Sequence, residues 1–189
     1  MLPNILTYDD LAELRLTRHQ LDGMLTAGEY ERVAPGTFHR VGLVDDTTVA
    51  LMAVARRKPL ATLCLVTALS LYDLTDEIPS RTDVAIPRGS HPSTVFNTPI
   101  AWHSFDRATF AIGRREHPLS DGLSIGIYSP ERTIVDLFRL RHSLGSDLAI
   151  ASLRRWLGRE GSSPATILDL ARSFKGARAS LQSALEILL

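Results

Sequence analysis

The stretch "LTRHQLDGMLTAGEYERVAPGTFHRVG", Leu16 to Gly42, decides the fold of the first part of the chain. Thr17 is a favoured helix N-cap residue, and apolar side chains recur after it at helical spacing. Gly28 is suited to end that helix, because glycine adopts left-handed backbone angles without strain. Two short β-prone runs then flank Pro35 and Gly36, a dipeptide typical of tight turns. The stretch therefore predicts a helix followed by a β-hairpin.

An earlier helix signal precedes this stretch in "TYDDLAEL", where Thr7 is the predicted N-cap. Asp9 and Asp10 follow it, and their carboxylates would lie near the positive end of the helix dipole. Helix, turn, helix and hairpin within about forty residues is the order of a winged helix-turn-helix. We therefore predict a winged-helix DNA-binding-like domain over residues 1–44. Similar modules also dock onto proteins, so the order alone leaves both functions open.

Residues 45–189 predict a second, larger α+β domain. Its first two helices are predicted in "DDTTVALMAVARRKP" and in "ATLCLVTALSLYDL", which is apolar almost all round. Four β-prone runs separated by turn residues then predict an antiparallel sheet covered by these helices: "TDVAIP", "TPIAWHSF", "TFAIGRR" and "LSIGIYS". The remainder predicts helices. The fold class is thus α+β, with an N-terminal winged helix-turn-helix, a mixed helix and antiparallel-sheet domain, and a helical C-terminal region.

The helix predicted in "IYSPERTIVDLFRLRH" carries a charged stripe. Ser129 is its predicted N-cap and Pro130 its first residue, which needs no hydrogen-bond donor there. Arg132, Asp136 and Arg139 share one side, so Asp136 can pair with both arginines at helical spacing. This stripe is either structural or a charged surface for a partner or a nucleotide. In the structural case, each exposed ion pair would stabilise the helix by a few tenths of a kcal/mol. The spacing does not separate the two.

Charge and cysteine content exclude several classes of protein. The 189 residues contain 21 basic and 21 acidic side chains, so the overall charge predicts no affinity for nucleic acid. Residues 1–42 carry four Arg and six Asp or Glu, a net charge of −2, and only the last part of the chain is basic. The single cysteine, Cys64, excludes an intramolecular disulfide and a cysteine-cluster zinc site, and its apolar surroundings predict a buried side chain.

Signals for a membrane, a metal or a common catalytic site are not found in the sequence. The longest apolar run, Leu60–Leu71, is shorter than the roughly 20 residues that span a bilayer, and we expect a cytoplasmic protein without a signal peptide. The six histidines lack metal-ligand spacing, so no metal site is predicted. "IPRGSHPS" resembles an anion-binding loop in composition, but it lacks a following helix start, which favours a turn after a strand.

In a helix-turn-helix, the first turns of the second helix reach base edges in the major groove. The residues in that position here are Thr17, Arg18, His19, Gln20 and Asp22. Arginine suits guanine and glutamine suits adenine, because each forms a bidentate pair of hydrogen bonds. Arg32 and Arg40, on the two hairpin strands, are placed to contact phosphate or the minor groove.

Four motifs together resemble the AbiEi family of antitoxins from bacterial abortive-infection toxin–antitoxin modules. The winged-helix stretch from Leu16, "LCLVTALSLYDLTDEIP" and "TDVAIPRG" are similar to family segments in the same order. "IYSPERTIVDLFRLR" is similar to the family's Ser-x-Glu-Arg-Thr-hydrophobic-hydrophobic-Asp helix. The resemblance covers nearly the whole chain. It implies an antitoxin that represses its own operon and counters a nucleotidyltransferase-like toxin.

The resemblance also assigns expected roles to particular residues. Operator DNA would be read by Thr17, Arg18, His19 and Gln20 and braced by Arg32 and Arg40. The toxin would be contacted by Arg139, Arg154 and Arg155. Neutralisation by repression or by direct masking needs no catalytic residue and no cofactor. A kinase-like alternative, in which the antitoxin phosphorylates the toxin, would need ATP and Mg²⁺, with candidate ligands Asp83, Arg88, Glu131, Arg132 and Asp136. Palindromic operators favour twofold symmetry, so a homodimer is compatible with this interpretation.

Overall fold

The computed structural model describes residues 2–42 and 44–189, which fold into an α+β structure. The helices of the described residues are α1 (Asp10–Glu13), α2 (Arg18–Thr26), α3 (Asp46–Arg57), α4 (Leu65–Leu71), α5 (Pro130–Leu144), α6 (Ser146–Leu157), α7 (Pro164–Ala171) and α8 (Arg178–Leu188). The strands are β1 (Ile5–Thr7), β2 (Tyr30–Ala34), β3 (Thr37–Arg40), β4 (Thr62–Leu63), β5 (Thr82–Pro87), β6 (Ile100–Phe105), β7 (Arg114–Pro118) and β8 (Ser124–Tyr128). The mixed α+β class predicted from the sequence is confirmed.

The chain divides into two compact units, each built from three segments. The first unit contains residues 1–61, 91–100 and 116–126, and the second contains residues 62–90, 101–115 and 127–189. The first unit is therefore larger than the domain predicted over residues 1–44. It includes α3, because Val49, Met52 and Ala53 of this helix pack in one core cluster with Ile5 and Val33. The second unit correspondingly lacks part of the predicted 45–189 domain.

A three-stranded antiparallel sheet forms the centre of the first unit, in the order β1-β3-β2. Strands β2 and β3 are the predicted hairpin, and Gly36 in its turn has a φ of +67°, which favours glycine. Arg32 faces Phe38 across the hairpin, and the register then shifts between Arg32 and Ala34. This bulge lets two residues of β2 oppose one of β3 and increases the local twist.

The two faces of this sheet bury different clusters of side chains. Leu6 and Phe38 lie on one face and pack with Leu21 of α2. Ile5 and Val33 belong to the cluster that α3 completes, and all residues of α3 from Val49 to Ala55 are buried. Full burial of one such side chain contributes about 1.5–3 kcal/mol. The sheet thus holds α2 through one cluster and α3 through another.

The two helices predicted near the N-terminus are both present; the predicted N-cap is confirmed for α2 and wrong for α1. Thr17 is the N-cap of α2 and Gly28 follows its last turn with a φ of +71°. Thr7, in contrast, ends β1, and the N-cap of α1 is Asp9 without a side-chain hydrogen bond. The reason is that the Asp10 carboxylate accepts hydrogen bonds from the backbone N–H and the hydroxyl of Thr7. The Thr7 side chain is thus a hydrogen-bond donor here, whereas an N-cap side chain is an acceptor.

In the second unit, the predicted helix "ATLCLVTALSLYDL" begins as a strand. Thr62 and Leu63 form β4 and pair antiparallel with β5, with Thr62 opposite Ala85. Cys64 then caps α4 and is fully buried, as predicted. The second sheet of the described residues, which is not confined to this unit, has five strands in the order β6-β5-β4-β8-β7. The predicted strand "TFAIGRR" is also wrong in part, because only its arginines begin β7 and the residues before them form turns.

The helical C-terminal region is confirmed. Ser129 accepts a hydrogen bond from the backbone N–H of Arg132 and caps α5, with Pro130 as the first helical residue. Ser163 and Pro164 begin α7 in the same way. One cluster of buried side chains from α4, α5, α6, α7 and α8 forms the core of the second unit. No helix of the described residues is long and apolar enough to span a bilayer.

Candidate nucleic-acid interface

The start of α2 is exposed and fixed by a reciprocal capping box. Arg18, His19 and Gln20 are all exposed. The Thr17 hydroxyl accepts a hydrogen bond from the backbone N–H of Gln20 (3.2 Å), and the Gln20 Oε1 atom accepts one from the backbone N–H of Thr17 (2.8 Å). The Thr17 hydroxyl also donates to Gln20 Oε1 (3.1 Å), so both lone pairs of this oxygen are used and Gln20 has only its Nε2 donor free of the cap. The bidentate adenine contact expected for Gln20 therefore requires the capping box to open.

Two of the predicted DNA-contacting arginines lie on one aromatic pair. The rings of Tyr8 and Phe38 meet edge to face, with their centroids 5.2 Å apart. The guanidinium carbon of Arg18 is 4.9 Å from the centroid of Tyr8, and that of Arg32 is 5.5 Å from the centroid of Phe38. Both distances are within the range of cation–π attraction. The fold therefore brings Arg18 of the helix and Arg32 of the hairpin onto two aromatic rings that contact each other.

Arg40 occupies a different position in the hairpin. It lies opposite Tyr30, two residues further from the hairpin turn than Phe38, and its backbone N–H donates to the Asn4 carbonyl (2.8 Å). Burial raises the pKa of the Tyr30 hydroxyl, which the positive charge of Arg40 partly opposes. Of the six predicted DNA contacts, Arg18 and Arg32 are thus brought together, while Arg40 lies at the far end of the strand.

Two further arginines of the first unit are held by local contacts. Arg56 of α3 forms an ion pair with Asp10, and Arg57 donates to the carbonyl of Pro35 in the hairpin turn. The pKa of Asp10 is lowered: burial acts to raise it, but hydrogen bonds from Thr7 and the charge of Arg56 outweigh that effect. The segments of the first unit contain seven Arg or Lys and ten Asp or Glu, a net charge of −3. General attraction to phosphate is therefore weak in this unit, and affinity for DNA has to come from placed arginines.

His39 of β3 is a buried polar side chain in this unit. It is 1% exposed, and both ring nitrogens lack a hydrogen-bond partner among the described residues. Burial lowers the pKa of its imidazole from 6.5, and the carboxylates of Glu31 and Asp121 act in the opposite direction. Since His39 alternates with Phe38 along β3, its side chain lies on the face opposite the aromatic pair.

The charged stripe of α5 is buried at Arg132 and Asp136 and half-buried at Arg139, which corrects the expectation of exposed surface pairs. Both predicted pairings of Asp136 are confirmed: its oxygens lie 2.9 Å from Arg132 Nε and 3.0 Å from Arg139 Nη2. The side chains of Arg132 and Asp136 are 0% and 1% exposed, and that of Arg139 is 22% exposed. Burial raises the pKa of Asp136, opposed by the two guanidinium charges. The stripe is thus part of the core of the second unit.

Aromatic rings and backbone carbonyls complete the surroundings of Arg132. Its guanidinium lies 4.2 Å from the ring centroids of both Tyr128 and Phe174. Its Nη1 donates to the carbonyls of Thr109 (2.8 Å) and Ile112 (2.6 Å). Arg132 therefore ties α5 to the turns before β7, which is a structural role.

The residues considered for a kinase-like site each have another partner. Asp83 lies 2.8 Å from His103 Nε2, and Arg88 lies 3.3 Å from Asp106 in an exposed pair. Glu131 accepts a hydrogen bond from the indole of Trp156 (3.3 Å). Arg132 and Asp136, the remaining two candidates, are inaccessible to a nucleotide as described above. The geometry therefore gives no specific support to the ATP- and Mg²⁺-dependent alternative.

The three candidate toxin contacts differ in their exposure and in the ion pairs that they already form. Arg139 is held by Asp136 and lies over the ring of Phe105, 4.9 Å from its centroid. Arg155 forms a two-point ion pair with Asp76, which raises the pKa of the arginine. Arg154 is exposed on α6. Arg154 is therefore the most suitable of the three for probing a partner surface.

Sequence reasoning missed Tyr8 and Phe38 as residues of the candidate interface. The sequence places Tyr8 in a predicted helix start and Phe38 in a β-prone run, and neither pattern indicates an interface. The signal that could have identified them is the pairing of an exposed arginine with an aromatic residue in two neighbouring elements. That signal becomes specific only when the register of the hairpin is known.

Comparison with known proteins yields a similarity of fold. No protein-family model matches the chain, and no curated protein matches it significantly. The crystal structure of the RV2827C protein from Mycobacterium tuberculosis is similar, with a TM-score of 0.52 and 16% sequence identity. The similarity covers 97% of this chain and 76% of that protein. At this identity, the chain shares the overall fold of that structure over nearly its whole length.

Proposed function

We propose that the protein is an antitoxin of a bacterial toxin–antitoxin module, with an N-terminal winged-helix region that binds operator DNA. The second unit would neutralise a nucleotidyltransferase-like toxin. The antitoxin part of the proposal is supported by the resemblance of four sequence motifs to the AbiEi family. The DNA-binding part is supported by the exposed start of α2, which is followed by the β2–β3 hairpin.

One observation carries the DNA-binding proposal: Arg18 and Arg32 lie over the two rings of the Tyr8–Phe38 pair. The helix would present Arg18 to the major groove, and the hairpin would present Arg32 to the adjacent phosphates. An arginine held on a ring loses less side-chain freedom on binding, which favours affinity. This compensates for the net negative charge of the unit.

Direct measurement of operator binding tests this part. The DNA segment upstream of the protein's own gene is labelled, and the dissociation constants of native protein, Arg18→Ala and Arg32→Ala are measured over a range of salt concentrations. We expect each variant to bind about 5- to 50-fold more weakly, with a salt slope lower by about one per lost phosphate contact. Arg178→Ala, an exposed arginine at the start of α8, is the matched control. Native affinity in both variants would exclude this interface.

Co-expression tests the antitoxin part. The nucleotidyltransferase-like protein encoded next to this gene should arrest growth alone and be neutralised by the native chain. If masking is the mechanism, the two proteins elute together in size-exclusion chromatography. Arg154→Glu should then weaken the complex, because it reverses an exposed charge without disturbing the core. Neutralisation in the absence of a complex would reject masking, and failure to neutralise any adjacent toxin would reject the antitoxin proposal.

A further inference from the structure

Tyr8 connects three parts of the first unit although its side chain is 40% exposed. It follows β1, and its ring lies below the guanidinium of Arg18 at the start of α2. The edge of the ring meets Phe38 of β3 at an interplanar angle of 68°. The ring also packs against Gly36 in the hairpin turn, where an added Cβ would lie 3.2 Å from Tyr8 Cδ2.

The contacts of Tyr8 restrict the conformations that the side chain of Arg18 adopts. A long arginine side chain at the surface samples many rotamers, and a ring beneath its guanidinium favours those in which the two planes are close. The ring itself is held by Phe38 on one side and by the hairpin turn on another. The position of the Arg18 guanidinium is thereby linked to that of the hairpin.

We propose that Tyr8 is a positioning residue for DNA recognition, which orders the Arg18 guanidinium and couples it to Arg32 through the Tyr8–Phe38 pair. This inference rests on the proposed DNA-binding function. It assigns a role to a residue outside the six predicted contacts. Tyr8 acts through Arg18, so its effect on affinity depends on the presence of that arginine.

A double-mutant cycle on the full chain tests the inference. Tyr8→Leu removes the ring and keeps an apolar side chain, while Tyr8→Phe keeps the ring. We expect Tyr8→Leu to weaken operator binding by about 3- to 10-fold. The Tyr8→Phe variant, which keeps the ring, should bind the operator with native affinity. In the Arg18→Ala background, Tyr8→Leu should have little further effect. Phe96→Leu is the matched control, because Phe96 is 39% exposed in the same unit.

The possible outcomes separate this inference from the proposed function. Absence of operator binding by the native chain would overturn the DNA-binding proposal, and the role of Tyr8 with it. If the native chain binds, native affinity of Tyr8→Leu would overturn the role of Tyr8 alone. An equal loss in the native and Arg18→Ala backgrounds would also overturn it, since a general structural effect does not depend on Arg18. Coupling to Arg18 together with rescue by phenylalanine would establish the positioning role.

Discussion

Arg132 and Asp136 form a salt bridge of 2.9 Å inside the second unit, with both side chains at most 1% exposed. An ion pair with so little contact with water is costly to form unless hydrogen bonds satisfy its remaining groups. The carbonyls of Thr109 and Ile112 accept hydrogen bonds from Arg132 Nη1, and Arg139 places a second positive charge 3.0 Å from Asp136 Oδ1. Arg132 Nη2 and Asp136 Oδ1 themselves lack a hydrogen-bond partner among the described residues. The pair is therefore a fixed part of the core. A substitution of either residue removes a hydrogen bond or an opposite charge from the groups that it contacts.

Replacement of Arg132 should destabilise the fold strongly. Arg132→Met keeps much of the side-chain volume but removes the side-chain donor to the carbonyls of Thr109 and Ile112, of which that of Thr109 keeps the backbone N–H of Ile112. It also removes one of the two cations beside Asp136. We expect the free energy of unfolding to fall by about 3–5 kcal/mol, measured by urea denaturation. Arg154→Met, on the exposed side of α6, should change it by less than about 0.5 kcal/mol. A small loss for Arg132→Met would show that the buried pair contributes little.

A methyl group at Gly113 should also destabilise the protein, through contact with the same arginine. Gly113 has a φ of +72°, and a Cβ there would lie 2.7 Å from Arg132 Cβ. We expect Gly113→Ala to cost more than the roughly 1–2 kcal/mol of left-handed backbone strain alone. Gly161→Ala is the matched control, because its φ is +81° and nothing lies within 4 Å of the added Cβ. Equal losses in urea denaturation would contradict a steric contribution at Gly113.

Burial of His39 should make the first unit sensitive to acid. Its folded-state pKa is lowered below 6.5, so the unfolded chain takes up the proton first as the pH falls. The stability associated with neutral His39 is therefore fully present above pH 6.5 and is lost as the pH falls through the folded-state pKa. We expect His39→Leu to reduce the loss of stability between pH 7.5 and 5, measured by urea denaturation at each pH. His19→Leu, at an exposed position of α2, should retain the native pH dependence.

Charge reversal should have different effects at Arg139 and Arg154. Arg139→Glu places a carboxylate beside Asp136 in a site where the native side chain is only 22% exposed. We expect its melting temperature to fall by several degrees, because a loss of 1 kcal/mol lowers it by about 2–4 °C in a chain of this size. Arg154→Glu should melt within about 1 °C of the native protein. If Arg139→Glu melts normally, the α5 stripe tolerates like charges and its assignment to the core is wrong.

Local signals predicted the starts of α2 and α5, because the caps of these two helices depend on residues within one turn. Thr17 and Ser129 accept hydrogen bonds from residues three positions later, a spacing that is visible in the sequence. The strand β4 was missed for the opposite reason. A run in which almost every residue is apolar has neither helical nor alternating periodicity, and Thr62 is a strand residue because β5 pairs with it.

The buried position of Arg132 had no local signal either. The rings that enclose its guanidinium are Phe105, Tyr128 and Phe174, which are far apart in sequence. The residues before β7 form turns rather than the predicted strand, and two of their carbonyls accept hydrogen bonds from Arg132. Likewise, the hairpin register that brings Arg32 onto Phe38 follows from long-range pairing. The starts of α2 and α5 and the pairing of Asp136 within α5 were therefore predictable, whereas the partners that charged side chains find on distant elements were not.

The discontinuous first unit sets a condition on when it can fold during synthesis. Its last segment, residues 116–126, supplies Leu119 and Leu123 to the cluster around Ile5 and Val33, and Asp121 accepts a hydrogen bond from the backbone N–H of Asn4 (2.7 Å). A ribosome produces the chain from its N-terminus, so these contacts cannot all form before Leu123 has left the exit tunnel. The nascent N-terminal segment therefore remains incompletely packed, with part of its apolar surface exposed to solvent, while the intervening residues are translated. Any chaperone that acts on this protein would be needed most during that interval.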